Sequence, residues 1–321
     1  MIAKIAVIGA GMAGLTVAKK LTKKGLSVDV FDKGRAVGGR MSSRRTEWGY
    51  LDHGVQYFTV KNPLFQNFIA QNEEFVKAWA GKFGRWQGTN VITIEPENPR
   101  YVPTIAMNNL CKKMATGLNV KLQTRIISLK KSQKWTLIDE NEQLYSDYDF
   151  IIITAPPLQT IDLLGNHSFI SESIRDLKMF ACYSLMLIPE NKLDLPFDGI
   201  EFQHPILGWI CVNDSKPLRG EKGSIIIQSN FTWAEENLAT TRDDIGEMLK
   251  NATSEVLKIK FYHHLYESVH LWRYAIPQQI NDQGYYLDKS NNIGVCGDWC
   301  LNGEVESAFL SGYWLANKIY E

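Results

Sequence analysis

Two glycine-rich turns near the start of the chain have the residue types and spacing needed to bind phosphates. The first is the G-x-G-x-x-G motif at 9–14. Its first glycine permits a tight turn, the second lets the backbone approach a pyrophosphate, and the third lets a helix pack closely on a strand. The residues expected to bind a dinucleotide cofactor here are Gly9, Gly11, Met12, Ala13 and Gly14.

The elements around this motif fit a dinucleotide site better than the alternative, a glycine-rich turn between packed elements. The apolar run at 4–8 predicts a buried strand, and apolar residues at 15, 18 and 21 predict a helix that ends near Gly25. A second strand ends at Asp32, 23 positions after Gly9, where a carboxylate can accept hydrogen bonds from a ribose diol. Lys33 follows and is a further candidate cofactor residue. A phosphate on that ribose is disfavoured, because it would lie beside the carboxylate.

The second glycine-rich turn, 34–41, carries cationic side chains and follows the ribose-binding strand directly. Arginine donors beside flexible backbone amides suit a second contact with phosphate oxygens. A site for a nicotinamide cofactor alone does not need this turn. Its residues Gly39, Arg40 and Met41 are therefore candidates for binding a different dinucleotide.

The chain resembles the flavin-containing amine oxidase superfamily at this turn, and its renalase-like branch in particular. The resemblance rests on the segments 38–45 (GGRMSSRR) and 50–58 (YLDHGVQYF). It implies that the second segment returns to the flavin ring, which makes Gln56 and Tyr57 candidates for the flavin edge. We interpret His53 as a satisfied, partly buried histidine instead of a functional one.

A segment near the end of the chain, 271–277 (LWRYAIP), places two large aromatic side chains and a guanidinium together. Strand alternation would put Trp272 and Tyr274 on one face, where they could hold a flat ring over a flavin, and Arg273 could bind an anionic group. The alternative is a packed core strand with Arg273 extended outward. The resemblance favours the first interpretation, since this run lies beside the active site in renalase-like proteins.

The remaining cofactor candidates come mainly from the resemblance. It implies that Asp298, after Gly297, bonds the ribityl chain and that the backbone near Ile126 meets the adenine. A helix opening at Val305 and Glu306 would direct its free N–H groups at the flavin pyrimidine and stabilise the anionic reduced ring.

Composition excludes several classes of protein. The 321 residues have zero formal net charge and 45% hydrophobic content, so no overall field attracts nucleic acid and no apolar run is long enough for a membrane helix. Five cysteines, an odd number, suit free thiols in a reducing compartment, and we expect a cytoplasmic protein. Cys296 and Cys300 are interpreted as structural thiols. No metal site is indicated, and FAD is expected to bind without a covalent link.

The expected fold class is α/β, with a doubly wound, glutathione-reductase-like FAD-binding domain and an inserted, mainly antiparallel α+β substrate domain. The FAD-binding domain is predicted to comprise 1–61, 101–160 and 275–321, and the substrate domain 62–100 and 161–274. Within the latter, Lys216 is interpreted as a solvated surface lysine, with a substrate phosphate as its alternative partner.

The resemblance implies an FAD-dependent oxidase that takes hydride from isomers of NAD(P)H and passes the electrons to O2, giving H2O2. One alternative is an amine oxidase or desaturase on the same scaffold. In this chain, the loop at 298–305 looks shorter than the corresponding loop of typical amine oxidases. The other alternative, of a different class, is a non-catalytic FAD-binding or redox-sensing protein.

Overall fold

The computed structural model describes residues 2–320, and the elements below are those found within that range. The strands are β1 Lys4–Ile8, β2 Ser27–Phe31, β3 Ser43–Thr46, β4 Gly49–Asp52, β5 Val76–Ala78, β6 Phe83–Trp86, β7 Val91–Ile94, β8 Tyr101–Pro103, β9 Asn119–Lys121, β10 Ile126–Lys131, β11 Trp135–Asp139, β12 Leu144–Tyr148, β13 Phe150–Ile153, β14 Met179–Pro189, β15 Gly199–Phe202, β16 Leu207–Val212, β17 Ile225–Ser229, β18 His264–Pro277, β19 Tyr286–Asp288 and β20 Ile293–Val295. The helices are α1 Met12–Lys23, α2 Pro63–Ala70, α3 Asn109–Ala115, α4 Pro157–Leu164, α5 Ile170–Ser173, α6 Phe231–Glu236, α7 Arg242–Leu257 and α8 Val305–Tyr320, with short 3-10 helices at Asn213–Ser215 and Asp298–Cys300.

A six-stranded sheet in the order β19-β20-β13-β1-β2-β9 contains the predicted nucleotide-binding strands. All its pairs are parallel except that between β19 and β20. In β1 and β13, apolar residues follow one another without alternating polar ones, and both strands are buried along most of their length. This is expected for a parallel sheet that is covered on both faces. The carboxyl ends of β1, β2, β13 and β20 therefore meet at one edge, where α/β folds bind ligands.

Helix α1 packs against both the sheet and α8, and two glycines allow the close approach. A Cβ atom at Gly14 would lie 2.0 Å from the carbonyl oxygen of Gly9, and one at Gly312 would lie 2.4 Å from that of Ala13. Neither distance can accommodate a side chain. The third glycine of the G-x-G-x-x-G motif is thus required by packing in this fold.

A second sheet of seven strands, in the order β18-β14-β17-β16-β15-β6-β7, is antiparallel except for the β15–β6 pair. One of its faces is covered by α6 and α7, through residues such as Trp233 and Leu249. Its other face, with Met186 and Ile226, joins the hydrophobic cluster that also contains Val7 of the first sheet. The two sheets therefore share one core.

Three smaller sheets complete the pairing: β10-β11-β12, β3-β4 and β5-β8. The polar run at 139–142 (DENE) predicts a hairpin turn, and it connects β11 and β12 in the structure. The alternating pattern at 120–126 (VKLQTRI) predicts one continuous strand, which is wrong because the chain turns between β9 and β10 with Gln123 in the left-handed region at φ 52°. Between residues 2 and 320, no helix combines the length and apolar content needed to cross a membrane.

Candidate cofactor and active site

The N-terminus of α1 lies at the carboxyl edge of the six-stranded sheet and leaves its first amide groups free. Gly11 is the N-cap, it supplies no side chain to cap the helix, and the first turn contains no acidic residue. A Cβ atom at Gly11 would meet no atom within 4 Å, unlike one at Gly14. Open space in front of free helix N–H groups is the arrangement that binds a phosphate.

The second glycine-rich turn lies directly against the first. Gly38 forms a parallel bridge with Gly11, and its amide donates to the Ala10 carbonyl over 2.9 Å. Gly39 has φ 55°, and a Cβ there would lie 3.5 Å from the Cα of Gly11. The glycines of the two turns thus face each other at the start of α1.

Asp32 is fixed at the end of β2 by its own carboxylate. Its Oδ2 accepts from the Ala10 amide over 2.6 Å, and its Oδ1 accepts from the Gly34 amide over 2.7 Å. The side chain is only partly buried, and each oxygen keeps a further lone pair. Lys33 is exposed beside it, whereas Ile126, at the start of β10, is buried in the cluster that also contains Phe31.

Arg40 and Asp298 join two distant parts of the chain in a bidentate ion pair. Arg40 Nη1 donates to Asp298 Oδ2 over 2.7 Å and to the Ala275 carbonyl over 3.0 Å, while its Nη2 bonds Asp298 Oδ1. The Asp298 carbonyl in turn accepts from the Gly303 amide over 3.1 Å. The second glycine-rich turn is thereby linked to the loop that precedes α8.

The start of α8 is tied to residues 61 and 62. Glu306 is buried, and its Oε2 accepts from the amides of Lys61 over 2.7 Å and Asn62 over 3.0 Å. Its carboxylate is thus used to position the chain. Val305, its buried neighbour, lines a cavity described below, and Gly297 donates its amide to Ser311 within α8 over 3.0 Å.

Gln56 is buried with its side-chain amide fully engaged. Its Nε2 donates to the carbonyls of Asp52 over 2.5 Å and Gly54 over 3.0 Å, and its Oε1 accepts from Lys216 Nζ over 2.9 Å and from the Cys211 thiol over 3.2 Å. The amide orientation is set by these bonds. Gln56 therefore holds the 52–56 segment in place and has no side-chain group free for a ligand.

A buried ionic network lies behind this segment, and the sequence did not indicate it. Lys216 Nζ lies 3.2 Å and Arg219 Nε 2.8 Å from Asp52 Oδ2, and all three side chains are fully excluded from solvent. Burial alone would raise the pKa of the Asp52 carboxyl, but the two cations hold it below its ordinary value. The interpretation of Lys216 as a surface lysine is wrong, because its side chain is fully buried. No local sequence pattern could have paired it with an aspartate 164 positions earlier.

Trp272 stacks on His53 and bonds its backbone. The ring centroids are 5.3 Å apart with an interplanar angle of 12°, and Trp272 Nε1 donates to the His53 carbonyl over 2.7 Å. His270 lies 4.6 Å from the His53 ring. Burial, aided by neighbouring charges, lowers the pKa of His53 to about 3 and that of His270 to about 4. Both rings are therefore neutral at physiological pH.

His53 is not the satisfied histidine that the sequence suggested. It is 7% exposed, and its Nδ1 has no hydrogen-bond partner among the described residues, while its Nε2 lies 3.4 Å from the Ser42 hydroxyl. A histidine with one unpaired buried nitrogen is unusual, because such a group loses its bond to water without replacement.

Tyr274 and Arg273 do not join Trp272 in a common contact. The register of β14 against β18 shifts between Trp272 and Ile276, where β18 contains two extra residues. A bulge of this kind changes the direction of side chains. Tyr274 packs against the cluster that contains Met179 and Trp299, and Arg273 is exposed. The simple alternation expected for this strand is therefore interrupted.

A cavity of about 750 Å³ lies between the seven-stranded sheet and the start of α8. Tyr57 is in its wall, 4.3 Å from the Arg100 guanidinium and 5.5 Å from the Trp209 ring. Burial raises the pKa of the Tyr57 phenol, so it stays protonated. Residues 303–305 also line the cavity. The cavity therefore adjoins the loop before α8, in which the Gly303 amide donates to the Asp298 carbonyl.

Comparison with known sequences finds similarity for the segment that contains the two glycine-rich turns. The profile for NAD(P)-binding Rossmann-like domains matches residues 7–71. A 4,4'-diapophytoene desaturase (4,4'-diaponeurosporene-forming) from Staphylococcus haemolyticus is 46% identical over 75 residues, which is 22% of this chain and 15% of the relative. A hydroxyneurosporene desaturase from Rubrivivax gelatinosus is 37% identical over 67 residues, 21% of this chain and 13% of the relative. The chain thus matches only a small part of the length of these relatives.

Solved structures match almost the whole chain at low sequence identity. A protein from Exiguobacterium assigned as a protoporphyrinogen oxidase has a TM-score of 0.79 at 9% identity, covering 99% of this chain and 98% of its own. A putrescine oxidase triple mutant with redesigned cofactor binding has a TM-score of 0.74 at 11% identity, covering 99% and 98%. An oxidoreductase from Methanosarcina mazei has a TM-score of 0.71 at 13% identity, covering 99% and 100%. The chain therefore has a mixed α/β, Rossmann-like fold that it shares with oxidoreductases.

Proposed function

We propose that the protein is an FAD-dependent oxidase that removes hydride from a dihydronicotinamide, such as an isomer of NAD(P)H. The observation that carries the FAD assignment is the pair of facing glycine turns at the open N-terminus of α1. A dinucleotide pyrophosphate fits where Gly11 and Gly39 leave space. The residues proposed to hold FAD are Gly9, Gly11, Met12, Ala13, Gly14, Asp32, Lys33, Gly39, Arg40, Met41, Ile126, Gly297, Asp298, Val305 and Glu306.

The cofactor is proposed to bind without a covalent link. All five cysteines are buried and free. Burial raises the pKa of Cys111 and Cys182 to about 12 and also raises the pKa values of the others. A thiol that stays protonated is a poor nucleophile, so none of these side chains is suited to attack a flavin.

A dihydronicotinamide substrate suits the neighbourhood of the proposed flavin site because its oxidation needs no strong base. Loss of hydride turns the dihydropyridine into an aromatic pyridinium, and the protein must only orient the ring. The polar side chains nearby are weak proton acceptors: His53 and His270 have low pKa values, Tyr57 is protonated and Gln56 is fully bonded. When bound, FAD would accept the hydride and pass two electrons to O2, which takes up two protons to give H2O2.

In this proposal Tyr57 and Trp272 orient the substrate ring. Gln56 fixes the backbone of the 52–56 segment, which leads to Tyr57 and which Trp272 contacts at His53. The stacked His53 and Trp272 rings, joined by the 2.7 Å bond to the His53 carbonyl, form a rigid wall next to Gly54. Tyr274 and Arg273 are proposed only as outer contacts, given their separate neighbours.

A second candidate is an amine oxidase or desaturase. It is favoured by the fold shared with putrescine oxidase and by exposed carboxylates at the cavity, Glu95 and Glu97, which could attract an ammonium group. The desaturase matches cover about a fifth of the chain. A segment of that size can account for nucleotide binding without defining a substrate.

The test is anaerobic mixing of FAD-loaded protein with NADH, with its positional dihydro isomers and with putrescine, while the flavin absorbance is followed. We expect rapid bleaching by a dihydro isomer, followed by H2O2 formation when air is admitted. Bleaching by putrescine alone would support the amine oxidase. If none of these donors reduces the flavin, the proposed oxidase activity is wrong, and the search turns to other amines and then to a non-catalytic FAD-binding role.

A further inference from the structure

Strand β18 is a long strand at one edge of the seven-stranded sheet. It extends over 14 residues, His264–Pro277, and β14 is its only strand neighbour among residues 2–320. The opposite edge strand, β7, has four residues, and the edge strands of the six-stranded sheet, β9 and β19, have three each. A long edge strand presents a row of backbone groups to which another strand can bind.

The contacts of Tyr183 in β14 show which backbone groups of β18 face outward. The Tyr183 amide donates to the Ser229 hydroxyl of β17 over 3.0 Å, so the backbone groups of Tyr183 point away from β18. In antiparallel strands, two opposite residues either bond each other or both point away from each other. Leu271 lies opposite Tyr183 and therefore points away from β14. The same holds for Val269 and Glu267, which alternate with it in an unbroken register.

These outward groups have almost no partners in the described part of the chain. The amides of Glu267, Val269 and Leu271 have no acceptor within residues 2–320. Of their carbonyls, only that of Val269 is bonded there, by Arg242 Nη1 over 3.3 Å. Prolines and lysines commonly keep an exposed edge from pairing, but β18 contains no lysine and no proline before Pro277. The edge is therefore open to a further strand.

Two opposite charges lie at equal distances from His270 along this edge. Glu267 precedes it by three positions and Arg273 follows it by three. Glu267 is on the sheet face covered by α7, where its Oε2 lies 2.8 Å from Lys250 Nζ. Arg273 is exposed and has no ion-pair partner in the described range. Burial raises the pKa of the Tyr183 phenol on that same face, and the nearby charge of Arg273 opposes the rise.

We propose that the β18 edge is a dimer interface, at which a second copy of this chain adds its own β18 in antiparallel orientation. A two-fold axis at His270 places Val269 opposite Leu271 of the partner subunit, so that their outward amides and carbonyls bond each other. The same axis places Glu267 opposite Arg273 of the partner subunit, twice by symmetry. Opposite Cβ atoms lie about 4.5 to 5.5 Å apart in such a pair, which suits an ion pair. Moving the axis by one residue pairs neither charge with its opposite.

The overall charge of the chain does not oppose this association. Its formal net charge is zero, so two copies have no general electrostatic repulsion to overcome. The first test is sedimentation equilibrium of the purified chain. We expect dimers, and a chain that stays monomeric up to about 100 μM overturns the inference. In that case the edge would be left to an extended segment of a different protein.

The backbone contact is tested with Val269→Pro. Proline removes an amide that has no acceptor within the described chain, so each copy keeps its own sheet hydrogen bonds. The dimer loses one hydrogen bond per copy, and its dissociation constant should rise at least about tenfold. The matched control is Val269→Ala, which also shortens the side chain but keeps the amide. Circular dichroism and the unfolding temperature establish that both variants are folded.

The register is tested with the charge reversals Arg273→Glu and Glu267→Arg. Each variant alone places like charges opposite each other, so its dissociation constant should rise at least about tenfold. An equimolar mixture of the two should form dimers again, because mixed pairs bring opposite charges together. Lys250 keeps Glu247 as a partner at 2.7 Å when Glu267 is replaced. Arg175→Glu, at an exposed arginine outside β18, is the control for charge reversal.

These results decide the inference without reference to the proposed function, because none of them is a measurement of activity. Dimers that persist in Val269→Pro, or charge reversals that do not restore each other in the mixture, would overturn it. If Glu267→Arg does not fold, Arg273→Glu and Val269→Pro decide the matter, and both must weaken the dimer.

Discussion

The Nζ of Lys216 lies 3.2 Å from Asp52 Oδ2, in a place that water does not reach. The same carboxylate oxygen also accepts from Arg219, so one buried anion is paired with two buried cations. The Lys216 ammonium also bonds Gln56, which anchors the segment leading to Tyr57. This contact therefore connects the stability of the interior to the wall of the proposed active site.

The three charges should differ in importance for stability. Asp52→Asn leaves two buried cations without a counter-charge and should lower the free energy of unfolding by about 3 to 5 kcal/mol. Lys216→Met leaves the neutral Asp52–Arg219 pair and mainly deprives Gln56 of a donor, so about 1 to 3 kcal/mol is expected. Urea unfolding measures both, with Glu172→Gln at an exposed ion pair as control. A larger loss in Lys216→Met than in Asp52→Asn would contradict this account.

The buried His53 should make stability depend on pH. Its folded-state pKa of about 3 is below its ordinary value of 6.5, so its contribution is present above pH 6.5 and is lost as the pH falls toward 3. Between about pH 7 and pH 5, this should remove about 2 kcal/mol from the free energy of unfolding. Denaturant unfolding across that range measures the slope.

The variant for this test is His53→Phe, which keeps an aromatic ring against Trp272 and cannot be protonated. Its free energy of unfolding should fall less between pH 7 and pH 5 than that of the unaltered protein. His263→Gln, at an exposed histidine, controls for the loss of any one histidine. An identical slope in His53→Phe would show that other groups cause the pH dependence.

Two glycines of the first motif should respond differently to alanine. A Cβ at Gly14 would collide with the Gly9 carbonyl, so Gly14→Ala should lower both the unfolding temperature and the FAD content. A Cβ at Gly11 meets no protein atom, so Gly11→Ala should keep the unfolding temperature of the FAD-free protein and weaken FAD binding at least about tenfold. The ratio of flavin to protein absorbance reports occupancy. Normal FAD affinity in Gly11→Ala would refute the proposed pyrophosphate position.

The bidentate contact between Arg40 and Asp298 should not tolerate lysine. Arg40→Lys keeps the charge but loses the paired donors, and a cost of about 1 to 2 kcal/mol in the free energy of unfolding is expected. Arg45→Lys, at an exposed neighbour in β3, should change stability by less than about 0.5 kcal/mol. Chemical unfolding of the two variants under the same conditions gives the two free energies of unfolding. Equal losses of stability in both would argue against a stabilising contact between Arg40 and Asp298.

Local sequence was enough to predict the first nucleotide-binding elements. The strand at Lys4–Ile8, the helix after Gly11 and the strand ending before Asp32 all follow from nearest-neighbour patterns, and the structure contains them. Pro103 and Thr104 are residue types that can start a helix, but the helix begins at Asn109, because the chain first completes β8 and a turn. Element boundaries depend on such tertiary contacts, which a local pattern does not contain.

The contacts that shape the candidate site could not be predicted in this way. Arg40 and Asp298 are 258 positions apart, and no residue near either one specifies the other. The same is true of Lys216, whose surroundings in sequence suggested a surface position. The bulge in β18 also interrupts the alternation on which the joint placement of Trp272 and Tyr274 depended. Long-range pairing and local irregularity are properties of the folded chain as a whole.

The pairing of Arg40 with Asp298 has a consequence for how the protein is made. A ribosome releases the glycine turns first, but Asp298 follows 258 positions after its partner Arg40, and the α8 residues that pack on α1 come later still. Until those residues have been synthesised, the proposed nucleotide site is incomplete and exposed. In the proposed function, the flavin nucleotide can therefore bind only after α8 has left the ribosome.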